Sequence, residues 1–154
     1  MKTSELIKLF DPIQVKWKVQ TSYSNDTKCI CVAYIDARDV MDVLNKQAGP
    51  GGWQDRIEAS TGKVVCHIWI KVDDEWIRKS DMGDTKDWEE KSASSWAFKR
   101  AGIKRGIGKF LYNMDKIYLD YKKEWKFWNA LMPNGDKIKD LTKYCNDLLS
   151  KKWK

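Results

Sequence analysis

The residues of this chain that could do chemistry are cations gathered in one short stretch. Between Trp96 and Tyr112 there are five basic side chains and no acidic one, namely Lys99, Arg100, Lys104, Arg105 and Lys109. The 154 residues carry a formal net charge of +7, and residues 1–95 are nearly neutral, so the positive charge is local. This pattern is typical of a polyanion-binding surface, because each neutralised phosphate releases condensed counterions. The alternative is a solvated helix with ordinary Lys and Arg side chains.

The spacing of the four cysteines and the one histidine predicts neither a metal site nor a catalytic nucleophile. The four cysteines lack the spacing of two C-x-x-C pairs. Cys29 and Cys31 would share one face of a strand, which predicts small core residues. His67 follows Cys66 in an apolar, strand-like run, where neighbouring side chains point to opposite faces. The sequence therefore predicts no Cys–His catalytic pair, no bound metal and no cofactor.

Two enzymatic alternatives find little support in the sequence. A P-loop is absent, because Gly108-Lys109 is followed by Phe110 rather than by Ser or Thr. Asp73 and Asp74, with Glu89 further along, superficially resemble the carboxylates of a magnesium nuclease. Because these carboxylates fall in turns and at a helix start rather than on adjacent strands, helix capping accounts for them better. The nuclease stays an alternative, and the preferred interpretation is that the protein is not an enzyme.

Composition predicts a globular chain. Its hydrophobic content of 42% with nine Trp is high enough for a packed core, and 154 residues suit one domain rather than two. No apolar run approaches the ~20 residues that cross a bilayer, and residues 1–12 lack the apolar core of a signal peptide. We expect a soluble, intracellular protein.

The elements that must position the cations follow from periodicity and turn residues. Alternation predicts a hairpin from strands at 13–22 and 29–35, and Asp36 is expected to cap a helix at 37–47. The other predicted elements are a short helix at 3–10, a meander of strands at 53–59, 63–72 and 75–80, an acidic loop at 81–87, and a long helix from about Trp88 with Asp87 as N-cap and Glu89-Glu90 in its first turn.

The long helix is expected to bury a stripe that contains Trp96, Ile103, Ile107 and Phe110. Two i, i+4 pairs of like charge flank this stripe, Arg100 with Lys104 and Arg105 with Lys109, and no carboxylate of the helix neutralises them. Like charges at this spacing oppose helix formation, so something outside the helix must compensate, and a bound phosphate backbone is expected to offset the repulsion. Gly102 and Gly106 indicate either tight helix packing or an early helix end at Gly106.

The C-terminal tail contains the aromatic run YLDYKKEWKFW, a turn at 133–135 and an amphipathic helix predicted at 137–152. This helix is expected to dock on its own domain rather than on a neighbouring subunit. The predicted organisation is one domain at 1–113 with a C-terminal helical extension at 114–154.

Four motifs in order carry a resemblance to a known family. They are VKWKVQ at 15–20, AYIDARDVMDVL at 33–44, GPGGWQD at 49–55 and AFKRAGIKRGIGKFLY at 97–112. The chain resembles the Rad52/22-type single-strand annealing proteins carried by bacteriophages, also called Sak proteins. The resemblance covers about residues 8–113 and leaves the tail unmatched.

The resemblance implies an α+β fold with a β-β-β-α core, in which the antiparallel meander packs on the long basic helix. The short N-terminal helix and the helical tail complete the predicted fold. It also implies assembly into homo-oligomeric rings and ATP-independent annealing of single-stranded DNA in phage recombination. The expected location is the cytoplasm of a bacterial host, with a phage exonuclease or single-strand-binding protein as further partners and no membrane.

By the same resemblance, basic residues of the long helix and of the first hairpin strand line a DNA groove. The matching helix positions are Lys99 and Arg100, followed by Lys104 and Arg105, and Lys109 completes the basic stretch. Lys18 and Lys16 occupy the hairpin position. A nucleic-acid-binding module for RNA or double-stranded DNA that does not anneal remains the main alternative.

Overall fold

A computed structural model describes residues 15–84, 90–124 and 127–152. The strands of this part are β1 Lys16–Tyr23, β2 Lys28–Tyr34, β3 Trp53–Ser60, β4 Lys63–Val72, β5 Glu75–Asp84, β6 Ile117–Glu124 and β7 Phe127–Leu131. Its helices are α1 Ala37–Ala48, α2 Glu90–Lys104 and α3 Leu141–Lys152, with a short 3-10 helix at Lys109–Asn113. The predicted N-terminal helix at 3–10, the cap Asp87 and Glu89 lie outside the described residues.

The described chain forms two compact units. The meander unit comprises residues 35–109, and the hairpin unit comprises residues 15–34 together with the segment from 110 onward. Both units combine helices with antiparallel sheets, which confirms the predicted α+β class.

The meander unit contains the sheet β3-β4-β5, with every pairing antiparallel as the sequence predicted. Alternation on β4 sets its two faces: Val64, Cys66 and Ile68 are buried, and the residues between them are half-buried. Helix α2 packs on β4 and β5. Asp36 caps α1 as predicted, and Asp39 closes a capping box with it.

The buried face of α2 differs from the predicted stripe. Trp96 is 47% exposed, whereas Ile107 is buried as predicted but lies beyond the end of the helix. The buried residues of α2 include Ala93, Ala97, Phe98 and Ala101. A face of small side chains lets the helix approach its neighbours closely, which is why hydrophobicity alone selected the wrong stripe.

Both interpretations of the α2 glycines hold. A Cβ on Gly102 would lie 2.7 Å from Val40 Cγ1 of α1, so this glycine permits tight helix packing. Gly106 has a φ of 96°, and the helix ends before it, at Lys104. The long basic helix of the prediction is therefore shorter than expected, and Arg105 and Lys109 lie past its end.

The hairpin unit contains a four-stranded antiparallel sheet in the order β1-β2-β6-β7. Helix α3 packs on β1 and the indole Nε1 of Trp17 donates to Asn146 Oδ1 at 2.9 Å. The buried core of this unit consists of Trp17, Cys29, Cys31, Tyr121, Ala130 and Cys145.

Two predictions of local structure were wrong. The tail is not wholly helical, because its aromatic run supplies β6 and β7 before α3 begins at Leu141. The acidic loop predicted at 81–87 is strand as far as Asp84, since β5 continues its pairing with β4 to that residue.

Candidate nucleic-acid interface

The basic stretch begins on the last turns of α2 and continues past its end. Lys104 and Lys109 are exposed, and Lys99, Arg100 and Arg105 are half-buried. All five lie in the meander unit, so their partners can be described together.

Asp81 on β5 is the anion that faces this stretch. Its carboxylate is 3.3 Å from Arg100 Nε and 3.7 Å from Lys104 Nζ, and its side chain is only 10% exposed. Burial would raise the pKa of Asp81, but the hydrogen bond from the Met82 amide and the two cations lower it below its usual value. The compensation that the sequence required from outside the helix therefore includes a carboxylate on the adjacent sheet.

Arg100 is held from a second side by an aromatic ring. Its Cζ lies 5.0 Å from the ring centroid of Trp96, one turn earlier on α2. A cation over an indole face is attracted by the ring quadrupole, which explains why this Trp is placed outside the core. Arg100 is thus positioned by Asp81 and Trp96 together, with its side chain 39% exposed.

A reciprocal pair of lysines fixes the end of α2 on β5. Lys104 Nζ donates to the Ser80 carbonyl at 2.9 Å, and Lys79 Nζ donates to the Lys104 carbonyl at 3.2 Å. Carbonyls at a helix C-terminus lack intrahelical donors, so Lys79 satisfies one of them. The two bonds give Lys104 a local structural role as well as an exposed charge.

Arg105 points its guanidinium into the sheet. One of its Nη atoms donates to the Ile68 carbonyl of β4 at 2.7 Å and also to the Ile77 carbonyl of β5. Burial lowers the pKa of Arg105 to about 10, which leaves it protonated at neutral pH. The side chain therefore ties the turn after α2 to two strands.

The two predicted residues of the hairpin lie on β1, in the other unit. Lys18 is exposed, and its Nζ lies 5.2 Å from the ring centroid of Tyr34 on β2. Lys16 is half-buried and pairs with Tyr34 across the two strands. The seven predicted residues therefore divide into five in the meander unit and two in the hairpin unit.

The described residues give no support to the nuclease alternative. Asp73 and Asp74 form the tight β4–β5 turn with positive φ values of 48° and 68°, and Asp74 pairs with Lys71 at 3.0 Å. Within residues 15–84, 90–124 and 127–152, no group of three His, Cys, Asp or Glu side chains could hold a metal ion. Asp73 and Asp74 therefore form the turn that the sequence predicted at these two residues, whereas Glu89 lies outside the described residues.

The four cysteines are free and buried thiols. Burial raises the pKa of Cys29 and of Cys66 to about 12, so neither thiol is a nucleophile at neutral pH. The His67 ring nitrogen Nδ1 shares a hydrogen bond of 2.7 Å with Ser80 Oγ, and the Cys66 thiol contacts the backbone carbonyl of His67 at 3.8 Å rather than its ring. In the described part of the chain, no helix is long and apolar enough to cross a membrane.

Sequence reasoning missed Asp81 and the exposed position of Trp96. Asp81 was assigned to a loop, and its partner lies 19 residues away on another element, so no local spacing rule links them. For Trp96 a signal existed, because Arg100 follows it at i+4 on a helix and this spacing brings a cation over a ring.

Comparisons with known proteins agree on one family. A sequence model of the Rad52/22 family of double-strand break repair proteins matches residues 2–126. The single-stranded DNA-binding protein DdrA of Deinococcus radiodurans is 28% identical over 110 residues, which are 70% of this chain and 52% of that protein. The protein of the same name from Deinococcus deserti is 28% identical over 118 residues, 75% of this chain and 55% of that protein. The chain spans about half the length of the curated relatives it matches.

Proposed function

The chain belongs to the Rad52/22 family of double-strand break repair proteins, and on that premise we propose that it binds single-stranded DNA and anneals complementary strands without ATP. The observation that carries the proposal is the extent of the family match. Residues 2–126 include both the basic stretch at 99–109 and the hairpin lysines. The relatives named as single-stranded DNA-binding proteins support the same ligand.

The proposed phosphate contacts are the exposed and half-exposed cations of the two units. On the meander unit these are Lys99, Arg100, Lys104 and Lys109, and on the hairpin unit they are Lys16 and Lys18. Arg105 belongs to the proposed interface as the residue that anchors its end, because its guanidinium donates to the Ile68 and Ile77 carbonyls. The β-β-β-α core of the family corresponds in this proposal to β3, β4, β5 and α2.

The annealing mechanism follows from what cations can and cannot recognise. Lys and Arg side chains hold the sugar-phosphate backbone and carry no information about base identity, so sequence preference is slight. A strand held by its backbone presents its bases to a second strand, and neutralised phosphates lower the repulsion between the two strands. Base pairing itself supplies the free energy, so neither nucleotide hydrolysis nor a cofactor is needed.

The finer parts of the proposal rest on the resemblance of the four motifs. They are assembly into a homo-oligomeric ring, a role in phage recombination within the bacterial cytoplasm, and cooperation with an exonuclease or a single-strand-binding protein. The proposed annealing domain spans 1–113, and residues 114–154 extend it.

The test is annealing of two complementary oligonucleotides without ATP or magnesium over a salt series, with the mass of the same sample measured in parallel. Faster annealing by a high-mass oligomer supports the proposal. Tight binding by a monomer that does not accelerate annealing would favour the simple binding module. Strand cleavage that appears on adding magnesium and is lost in Asp73→Asn or Asp74→Asn would favour the nuclease.

A further inference from the structure

The four-stranded sheet of the hairpin unit has one covered and one open face. Its covered face carries Trp17, Cys29 and Cys31, which pack with Cys145 of α3 in the buried core. Because side chains alternate along a strand, the residues between these positions lie on the opposite face. That face holds the two hairpin lysines already proposed to bind DNA.

A β-bulge in β1 determines which side chains join the lysines. The register shifts between Val19 and Thr21, so Lys18 pairs with Val32 while Tyr23 pairs with Lys28. Residues 28 and 32 of β2 share a face, and therefore Lys18 and Tyr23 share it too. Without the extra residue, Tyr23 would be on the covered face with Trp17.

Strand β6 adds a second tyrosine beside the first. Tyr118 pairs with Ile30 of β2, so it lies on the open face. Strand β2 separates it from Tyr23 of β1, which pairs with Lys28 two residues earlier on β2. The two rings meet edge to face, with centroids 6.4 Å apart and planes at 85°. Their exposed fractions are 60% for Tyr118 and 40% for Tyr23, so ring surface remains open to solvent.

A small cavity lies against this pair. Its volume is about 200 Å³, and besides both tyrosines it is lined by Lys28, Leu119, Asp120, Leu131 and Pro133. Pockets for drug-sized ligands measure roughly 300–1,000 Å³, so this one suits a smaller planar group such as a single nucleobase. A base can stack on the face of one tyrosine ring and contact the edge of the other, because the two rings meet edge to face.

The charge of the open face is complementary to a phosphate backbone. Alternation and register place four lysines on it, Lys16, Lys18, Lys28 and Lys122, against the carboxylates Asp120 and Glu124. Lys28 forms an ion pair with Asp120, whose hydrogen bond raises the pKa of Lys28, and Lys122 forms an ion pair with Glu124 at 3.4 Å. The surplus of positive charge lies next to exposed aromatic rings, which is the combination that single-strand-binding surfaces use.

We propose that this tyrosine face, defined by Tyr23, Tyr118, Lys18 and Lys122, is a stacking platform that holds an unpaired base of the bound single strand. The inference deepens the proposed function and rests on it. It gives the C-terminal tail a direct part in binding, since Tyr118 and Lys122 come from β6. A base stacked on the tyrosines is withheld from pairing, so the platform anchors the strand at one point while the bases beyond it stay available to a second strand.

The test compares a thymidine oligonucleotide with one of equal length that carries abasic sites, which keeps the phosphates and removes bases. The wild-type protein is expected to bind the base-containing strand more tightly. Tyr118→Ala and Tyr23→Ala should each weaken that binding by roughly 5- to 150-fold and bring it toward the abasic value. The salt dependence of binding should stay unchanged in both variants, because no phosphate contact is removed.

Two controls separate stacking from a general loss. Tyr118→Phe keeps the ring and should bind like the wild type. Tyr112→Ala is the control for the loss of any exposed tyrosine of this unit, because Tyr112 lies on the 3-10 helix rather than on the sheet. Crosslinking of a 5-bromodeoxyuridine oligonucleotide to the wild-type protein, mapped by peptide mass, tests the site without any substitution. The crosslink is expected in the peptide that contains Tyr23 or Tyr118.

Each outcome bears on one proposal. If the wild-type protein binds single strands but does not distinguish bases from abasic sites, the platform is refuted while the DNA-binding function stands. The same conclusion follows if the crosslink maps elsewhere, or if the tyrosine variants change only the oligomeric mass. If the wild-type protein binds neither strand, the proposed function itself fails.

Discussion

The carboxylate of Asp81 on β5 lies 3.3 Å from the guanidinium of Arg100 on α2, one of the cations of the meander unit proposed to hold DNA. The same carboxylate faces Lys104 at 3.7 Å. One acidic residue therefore stabilises the positions of two basic ones, and their repulsion is reduced before any strand binds.

Replacing Asp81 should lower stability in a pH-dependent way. Because its pKa is lowered in the folded state, the carboxylate stabilises the fold above its unfolded pKa of about 3.9, and this contribution is lost as the pH falls through the folded value. Asp81→Asn should cost about 1 kcal/mol at pH 7 after allowance for the exposure of Arg100 and Lys104. Thermal unfolding from pH 7 to pH 2 measures this, and the gap to the wild type should close at low pH. Asp42→Asn, on an exposed position of α1, is the matched control and should show no gap.

Arg105 should matter more to stability than to DNA binding. Arg105→Ala removes the donor to the carbonyls of Ile68 and Ile77, and we expect a loss of about 1–3 kcal/mol in urea unfolding. Lys109→Ala removes an exposed charge nearby and should leave the unfolding free energy within about 0.5 kcal/mol of the wild type. Equal stability of the two variants would contradict the anchoring role.

Lys99, Arg100 and Lys109 should each contribute to the salt dependence of single-strand binding. Each phosphate contact that is lost reduces the slope of log K against log salt by roughly 0.7 for single strands. Lys99→Ala and Lys109→Ala should each flatten the slope by about this amount, and Arg100→Ala should do the same. Lys63→Ala, an exposed change at the start of β4, serves as the charge-matched control. An unchanged slope in all three site variants would remove these residues from the interface.

Gly102 and Val40 should be coupled. In the wild-type background, Gly102→Ala gains helix propensity of about 1 kcal/mol but places a Cβ 2.7 Å from Val40 Cγ1, so we expect a net loss of about 1 kcal/mol. In a Val40→Ala background the clash is absent, and the same change should be neutral or stabilising. A double-mutant cycle by urea unfolding measures the coupling, and additive effects would contradict the close packing of α1 and α2.

The four thiols should react slowly in the folded protein because all four are buried, and ionisation of Cys29 and Cys66 is suppressed as well. With pKa values of about 12, the Cys29 and Cys66 thiols are ionised in roughly one molecule in ten thousand at pH 8. A chromogenic disulfide reagent should therefore modify the native protein slowly and all four thiols rapidly in denaturant. Fast modification of one thiol in native buffer, assigned by mass, would show that its unit opens.

Local signals made the meander and its caps predictable. Three predicted features depend only on residues that are close together in the sequence, and the structure confirms them. They are the Asp36 cap, the alternation along β4 and the turn at Asp73-Asp74. The buried face of α2 was not predictable in this way, because Ala93, Ala97 and Ala101 contribute little hydrophobicity and their burial depends on what packs on them.

Long-range pairing set the limits of prediction for the site. The contact between Asp81 and Arg100 joins residues of two different elements, β5 and α2. The tail forms strands because β6 pairs with β2, which is far from it in the sequence. The hairpin lysines were predicted from the resemblance, but the tyrosines beside them depend on a one-residue bulge that no periodicity reveals. The cations were thus predictable from sequence, whereas Asp81, which orients two of them from another element, was not.

The order in which the hairpin unit is synthesised follows from its discontinuity. Strands β1 and β2 leave the ribosome first, and residues 35–109 must be made before β6 and α3 can cover the hairpin. At 5–20 residues per second, translation leaves this surface uncovered for on the order of ten seconds. During that interval the thiols of Cys29 and Cys31 and the indole of Trp17, which belong to the core of the finished unit, are not yet covered by β6 and α3.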